Sequence, residues 1–242
     1  MRLRQKVLIL LGLLVLLATL FLFLKASDGP KYHGLSPSDW LSIYDREIYS
    51  AVNRGSALSS AAFQEADVAV RAIGTNALPY YLKWICYESP SWRRTLRLKL
   101  PARMAFNPIV DNWLEGAAAR RARYAGEGIG ILGTKAVSAI PALEALMKDR
   151  TRPESSFHAI MALGSIGEQS VPVLMAALAD PQQPNRSQIV NSFHNLTSER
   201  GANACLAIVV KALTDKDASV RTAATNVLKF RAPSALTNAA TQ

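Results

Sequence analysis

The sequence predicts an all-α chain, a solenoid of stacked helix pairs behind one N-terminal transmembrane helix. Three observations carry this. Val7 to Leu24 is an uncharged apolar run that follows the basic residues Arg2, Arg4 and Lys6. From residue 60 onward, apolar and small residues return in matching columns at Ile73, Leu132, Leu163, Leu196 and Leu228, which stand 59, 31, 33 and 32 residues apart. The pairs Leu78-Pro79, Ile140-Pro141 and Val171-Pro172 recur behind those anchors. Repeats of this length built from two helices form an α-solenoid, because one pair alone cannot bury its apolar face.

The elements follow in chain order. As a helix, residues 7–24 would reach about 27 Å at 1.5 Å per residue, against a hydrocarbon core of roughly 30 Å. A removable signal peptide has a shorter apolar core and small residues before the cut. Here the run closes on Leu22-Phe23-Leu24-Lys25-Ala26, and the first cysteine is Cys86. Residues 1–25 therefore predict a basic cytoplasmic tip and an uncleaved signal anchor, oriented by the positive-inside bias. The bulk then lies outside the cytoplasm, on the periplasmic or extracytoplasmic side. Secretion after cleavage is the alternative. Residues 26–36 read as a linker. Residues 37–59 read as a capping helix and its connection, with Ser36 as N-cap, Pro37 in the first turn and Asp39 at the positive end of the helix dipole.

Residues 60–231 are the repeats. Three residues before each anchor stand Val70, Ile129, Ile160, Phe193 and Thr225, and four before stand Ala69, Gly128, Ala159, Ser192 and Ala224. Apolar positions three apart share a helix face, and a small column lets a neighbouring helix approach closely. Gly74, Gly133 and Gly164 are predicted to stop the first helix of their pairs. The second helices open at the Leu-Pro, Ile-Pro and Val-Pro pairs and, as a variant, at Cys205-Leu206. Residues 89–112 break the columns and predict an excursion with one short helix between the two helices of a repeat. Residues 232–242 form a flexible tail.

The segments Asp215-Lys-Asp-Ala-Ser-Val220-Arg221-Thr-Ala223-Ala224 and Ala162-Leu163-Gly164-Ser165-Ile166-Gly167 resemble the HEAT-repeat pattern. Asp180 and Arg186 keep the Asp215–Arg221 separation, whereas Asp149 is followed by Ser155-Ser156, which interrupts any Asp–Arg ladder. The resemblance covers roughly residues 60–231, and the whole chain is similar to small membrane-anchored bacterial HEAT-repeat proteins. It implies a right-handed solenoid of HEAT-like pairs, with the Asp in the turn between a repeat's helices. It also implies a protein-interaction scaffold whose second helices line a concave face. The alternative within the resemblance is a HEAT-like enzyme of the lyase type.

Composition and motifs narrow the chemistry. Half of the 242 residues are hydrophobic, which excludes a disordered chain, and two cysteines exclude a disulfide scaffold or a cysteine-rich zinc module. Gly128-Ile-Gly130-Ile-Leu-Gly133 spells a dinucleotide fingerprint, but a helical pattern precedes it where the mechanism needs a strand. His33, His158 and His194 are not followed by Glu, so the His-Glu iron ligands of some HEAT-like hydroxylases are missing. Cys205 reads as a buried small hydrophobe. Trp40, Trp84, Trp92 and Trp113 read as packing of the cap and excursion. Neither a catalytic motif nor a cofactor or metal site is expected, and the chain is expected not to be an enzyme.

Charge supplies the one candidate site. The formal net charge is +10, and much of it gathers in residues 91–123 at Arg93, Arg94, Arg97, Lys99, Arg103, Arg120, Arg121 and Arg123. Asp111 and Glu115 alone oppose them there. Such a patch suits anionic lipid, an acidic protein or another polyanion, with nucleic acid disfavoured by the expected location. The other reading is a solvated segment whose Arg stems cover apolar surface. The protein partner itself is not legible.

Overall fold

The computed structural model describes residues 29–105, 107–195 and 199–232. The predicted anchor, the column position Leu196 and the tail from 233 lie outside the described residues. Among the described residues the chain is helical, with one isolated bridge between Tyr32 and Leu35.

Helix α1 (Pro37–Arg54) begins as its sequence dictates. Ser36 Oγ accepts the Asp39 N–H at 3.3 Å and the Asp39 carboxylate accepts the Ser36 N–H at 3.0 Å, a capping box that satisfies two orphan donors. Gly55, at φ 59°, ends it. Over residues 29–36 the predicted linker is fastened down. Tyr32 and Leu35 exchange backbone hydrogen bonds, Trp40 Nε1 donates to the Tyr32 carbonyl at 3.0 Å, and Gly29 lies against the Tyr80 ring.

Pairs of helices follow. They are α2 (Ala61–Ile73) with α3 (Leu78–Ile85), and then, past the short α4 (Ser91–Lys99) and α5 (Ala102–Ala105), α6 (Pro108–Leu132) with α7 (Ile140–Lys148). Next come α8 (Pro153–Ile166) with α9 (Val171–Ala179) and α10 (Arg186–Ser192) with α11 (Glu199–Ala212), and α12 (Ala218–Arg231) closes the described stack. First members pack side by side in a row, α2, α6, α8, α10 and α12, and second members lie behind them. Ala69, Val70, Tyr81, Ile129, Leu143 and Leu163 belong to one core that continues through Leu174, Ile189 and Leu228.

Each of the first three pairs turns on a glycine. Gly74, Gly133 and Gly167 take φ of 64°, 54° and 112°, and short 3-10 turns (Gly74–Ala77, Gly133–Ala139, Glu168–Ser170) lead into the second helix. This corrects the expectation for Gly164. It lies inside α8, where an added Cβ would stand 2.6 Å from the Ser192 carbonyl oxygen. Gly130 matches it one pair earlier, its Cβ position 3.1 Å from Ser165 Cβ. In each Gly-x-x-Gly the first glycine admits the next helix and the second ends its own. The third anchor is therefore Ile166, with Ala162 in the small column; Ala159 and Leu163 are also fully buried.

Two further expectations are revised. Cys205-Leu206 lies in the middle of α11, which opens at Glu199. The excursion carries two short helices, and it stands between successive pairs because α3 packs directly on α6. The Asp149, Asp180 and Asp215 turns likewise join one pair to the next. By length and composition Trp113–Lys148 could cross a membrane. It turns at Gly133, however, and buries Ala125, Ile129, Leu143 and Met147 within the stack.

Candidate interaction surface at the excursion

The base of the excursion is held by two carboxylates. Arg152 gives α8 no side-chain cap, and Glu88, just past α3, supplies one. Its carboxylate accepts the N–H groups of Glu154 at 3.3 Å and Ser155 at 2.7 Å. The Glu154 carboxylate accepts the Ser89 N–H at 2.7 Å in return. This is the reciprocity of a capping box spread over distant segments, with negative charge at the positive end of α8.

The eight basic residues divide. Arg93 turns inward. Its guanidinium donates to the Glu115 carbonyl at 3.0 Å and the Tyr87 hydroxyl at 3.2 Å, and it lies 5.3 Å from the Trp92 ring centroid. It covers Gly116, where α6 is interrupted at φ 74°, ψ 161°, and a Cβ there would fall on the guanidinium. Arg94 pairs with Glu154 at 3.4 Å. Arg123 pairs with Asp45 at 3.3 Å and Glu115 at 3.8 Å, and its guanidinium lies 5.5 Å from the Tyr124 ring centroid. Arg97, Lys99 and Arg103 are exposed, and Arg120 and Arg121 are half-buried on α6. Arg94 and Arg123 share a groove of about 550 Å³ between excursion, α6 and α8, whose walls include Glu115, Glu154, Phe157 and His158. Burial lowers the His158 pKa, against the pull of Glu154 and Glu88.

Further along α6, Glu127 keeps one carboxylate oxygen buried without a hydrogen-bond partner. Desolvation, reinforced by Asp45 and opposed by Arg123, pushes its pKa up to about 7. The sequence reading missed Glu88, Glu154, Asp45 and Glu127, because acidic residues scattered over four segments carry no local motif. It also missed that Trp92 and Trp113 meet outside the core, ring centroids 6.1 Å apart and both at least half exposed.

The other motifs fall into structural places. Gly128 lies within α6, its Cβ position 2.6 Å from the Tyr81 ring. His158 lines the groove, while the His194 ring sits on Phe230 and its carbonyl accepts from Arg231. Cys205 is buried, its thiol pKa raised to about 11 by desolvation, and Cys86 is exposed.

Helix pairs stacked in two rows, with glycine turns in register, define a helical-repeat protein. Residues 157–180, which span most of α8 and all of α9, match the family model described as PBS lyase HEAT-like repeat, and the match supports assignment to the HEAT-repeat family. No curated protein matches the chain.

Proposed function

We propose that the chain is a membrane-anchored HEAT-repeat scaffold, a right-handed solenoid that holds a protein partner outside the cytoplasm by binding and not by catalysis. The supporting observation is the outer face of the first row. The groove between α6 and α8 and a second one of about 400 Å³ between α10 and α12, lined by Ser187, Asn191, Ser219, Thr222 and Asn226, open along the same row of helices. Shallow grooves between stacked repeats suit an extended polypeptide, whose backbone and side chains can follow the stack. The apolar run 7–24 supports the anchor by length and the flanking Arg2, Arg4 and Lys6 support its orientation.

Two measurements test the reading. A reporter fused after Gln242 should be active only outside the cytoplasm, and the chain should resist alkaline extraction. Release of a chain beginning near Ser27 would replace the anchor with a cleaved signal. Crosslinking in native membranes should yield one stoichiometric protein partner attached through the first row. A chromophore or metal co-purifying in stoichiometric amount would instead favour a HEAT-like enzyme.

A further inference from the structure

Helix α4 buries none of its residues, yet the excursion is rich in apolar side chains. Ile109 and Trp113, four apart and so on one face of α6, are 80 % and 61 % exposed, and the 50 % exposed Trp92 ring lies beside Trp113. These three make one apolar strip on the outside of the stack. Between residues 91 and 110 the sequence holds five basic residues and no acidic one.

We propose that the excursion is a foot that stands on an anionic phospholipid bilayer. The Trp92–Trp113–Ile109 strip enters the headgroup region, and the exposed Lys99 and Arg103 meet the lipid phosphates. Tryptophan is suited to that boundary because its ring is apolar and its indole N–H stays hydrated. A purely polyanionic partner would use the cations but gain nothing from an exposed Ile109. Tether length points the same way. Residues 25–28 separate the apolar run from Gly29, so the five steps from Leu24 to Gly29 reach at most about 18 Å at 3.3–3.6 Å per residue, and Gly29 lies against Tyr80 of α3. Helix α3 then spans about 12 Å and leads straight into the excursion. The tether argument alone rests on the anchor proposed above; strip and charges stand without it.

The test uses the full chain reconstituted with vesicles of equal parts phosphatidylglycerol and phosphatidylcholine, with doxyl-labelled lipid quenching tryptophan emission. Quenching should be strong, and Trp92→Phe with Trp113→Phe should remove most of it, because Trp40 is buried and Trp84 packs against the core. Each exposed cation raises partitioning onto an anionic surface about fivefold. Lys99→Gln and Arg103→Gln together should therefore weaken seating roughly 25-fold, bringing quenching close to the level seen in pure phosphatidylcholine. High salt should do the same to the parent chain. Circular dichroism establishes that each variant stays folded. Unquenched Trp92 and Trp113 in a chain that resists alkaline extraction would overturn the foot and leave the anchor. Quenching in a chain that alkali extracts would overturn the anchor and support the foot. Equal quenching on both lipids, untouched by the charge variant, would overturn the proposal, as would a crosslinked protein partner covering the strip on native membranes.

Discussion

Glu127 carries a pH dependence that can be read from its surroundings. Tyr44 and Asp45 of α1 and Arg123 and Tyr124 of α6 face it, and burial holds its pKa near 7 against an ordinary value of 4.5. Between those values the folded chain keeps a proton that the unfolded chain has lost, so stability falls as pH rises from about 4.5 to about 7. The contribution is fully present below the lower value and gone above the upper. At roughly 1.4 kcal/mol per pKa unit, the swing is about 3–4 kcal/mol. Glu127→Gln should flatten that slope and raise stability at pH 8, measured by denaturant unfolding at several pH values. Arg93 is the second residue-scale case. Arg93→Ala would uncover Gly116 and leave the Glu115 carbonyl without its donor, for a loss of about 1–3 kcal/mol in chemical unfolding. Arg94→Ala, at a pair 63 % exposed on the arginine side, should change stability by less than about 1 kcal/mol. Any neutralisation of the basic segment meant to keep the fold must therefore spare Arg93.

At the scale of elements, the Gly-x-x-Gly of α8 separates two roles that one letter conceals. Gly164→Ala would push a methyl group onto the Ser192 backbone, which cannot yield as a side-chain tip can. The strain should cost about 1–3 kcal/mol, read as a lowered melting temperature. The helix pairs were legible because their signals are local: an apolar column at helical spacing, and Leu-Pro, Ile-Pro or Val-Pro at the opening of α3, α7 and α9. Placing the helix stop at Gly164 failed for the same reason. Composition cannot tell a glycine that ends a helix from one that admits a neighbour three residues earlier. Cys205-Leu206 misled because no proline marks the opening of α11. The basic segment was legible as charge, whereas the inward turn of Arg93 depends on an interruption at Gly116 that only assembled helices reveal. The ladder broken at Ser155-Ser156 is mended by other chemistry. Ser156 Oγ donates to the Met147 carbonyl at 2.9 Å and accepts from Asn185 Nδ2 at 2.8 Å, where one pair later Arg186 Nε donates to the Leu178 carbonyl at 3.1 Å.

For the whole molecule, stability should pass from pair to pair as in other repeat stacks. The joint best placed to show it is Arg186 with Asp215. Two parallel hydrogen bonds, 2.9 and 2.5 Å, link α10 to the turn before α12, and Arg221 donates to the Asp215 and Lys216 carbonyls at 2.8 and 3.0 Å. The Arg186 hydrogen bond holds the Asp215 carboxyl below the usual carboxylate range. Its stabilisation is present above the unfolded pKa and is lost as pH falls through the lower folded value. Asp215→Asn should accordingly destabilise the C-terminal pairs at neutral pH by about 1–3 kcal/mol, an effect that fades in strong acid. Hydrogen exchange should show α10 and α12 losing protection while α6 and α8 keep theirs.

The Glu88–Glu154 exchange has a consequence for the order in which the chain is made. Later joints close between segments about one repeat apart, whereas this one spans 65–67 residues. At equilibrium the longer loop matters little, since doubling a loop costs only about 0.6 kcal/mol. During synthesis it matters more. Tyr81, whose ring is covered by Gly128 in the finished protein, leaves the ribosome well before α6 does, and at roughly 5–20 residues per second the interval lasts seconds. For that interval α1, α2 and α3 present an unclosed flank for longer than any later pair does, because the excursion delays α6. A trigger-type chaperone, or a second nascent chain supplying its own α6, would find its opening there.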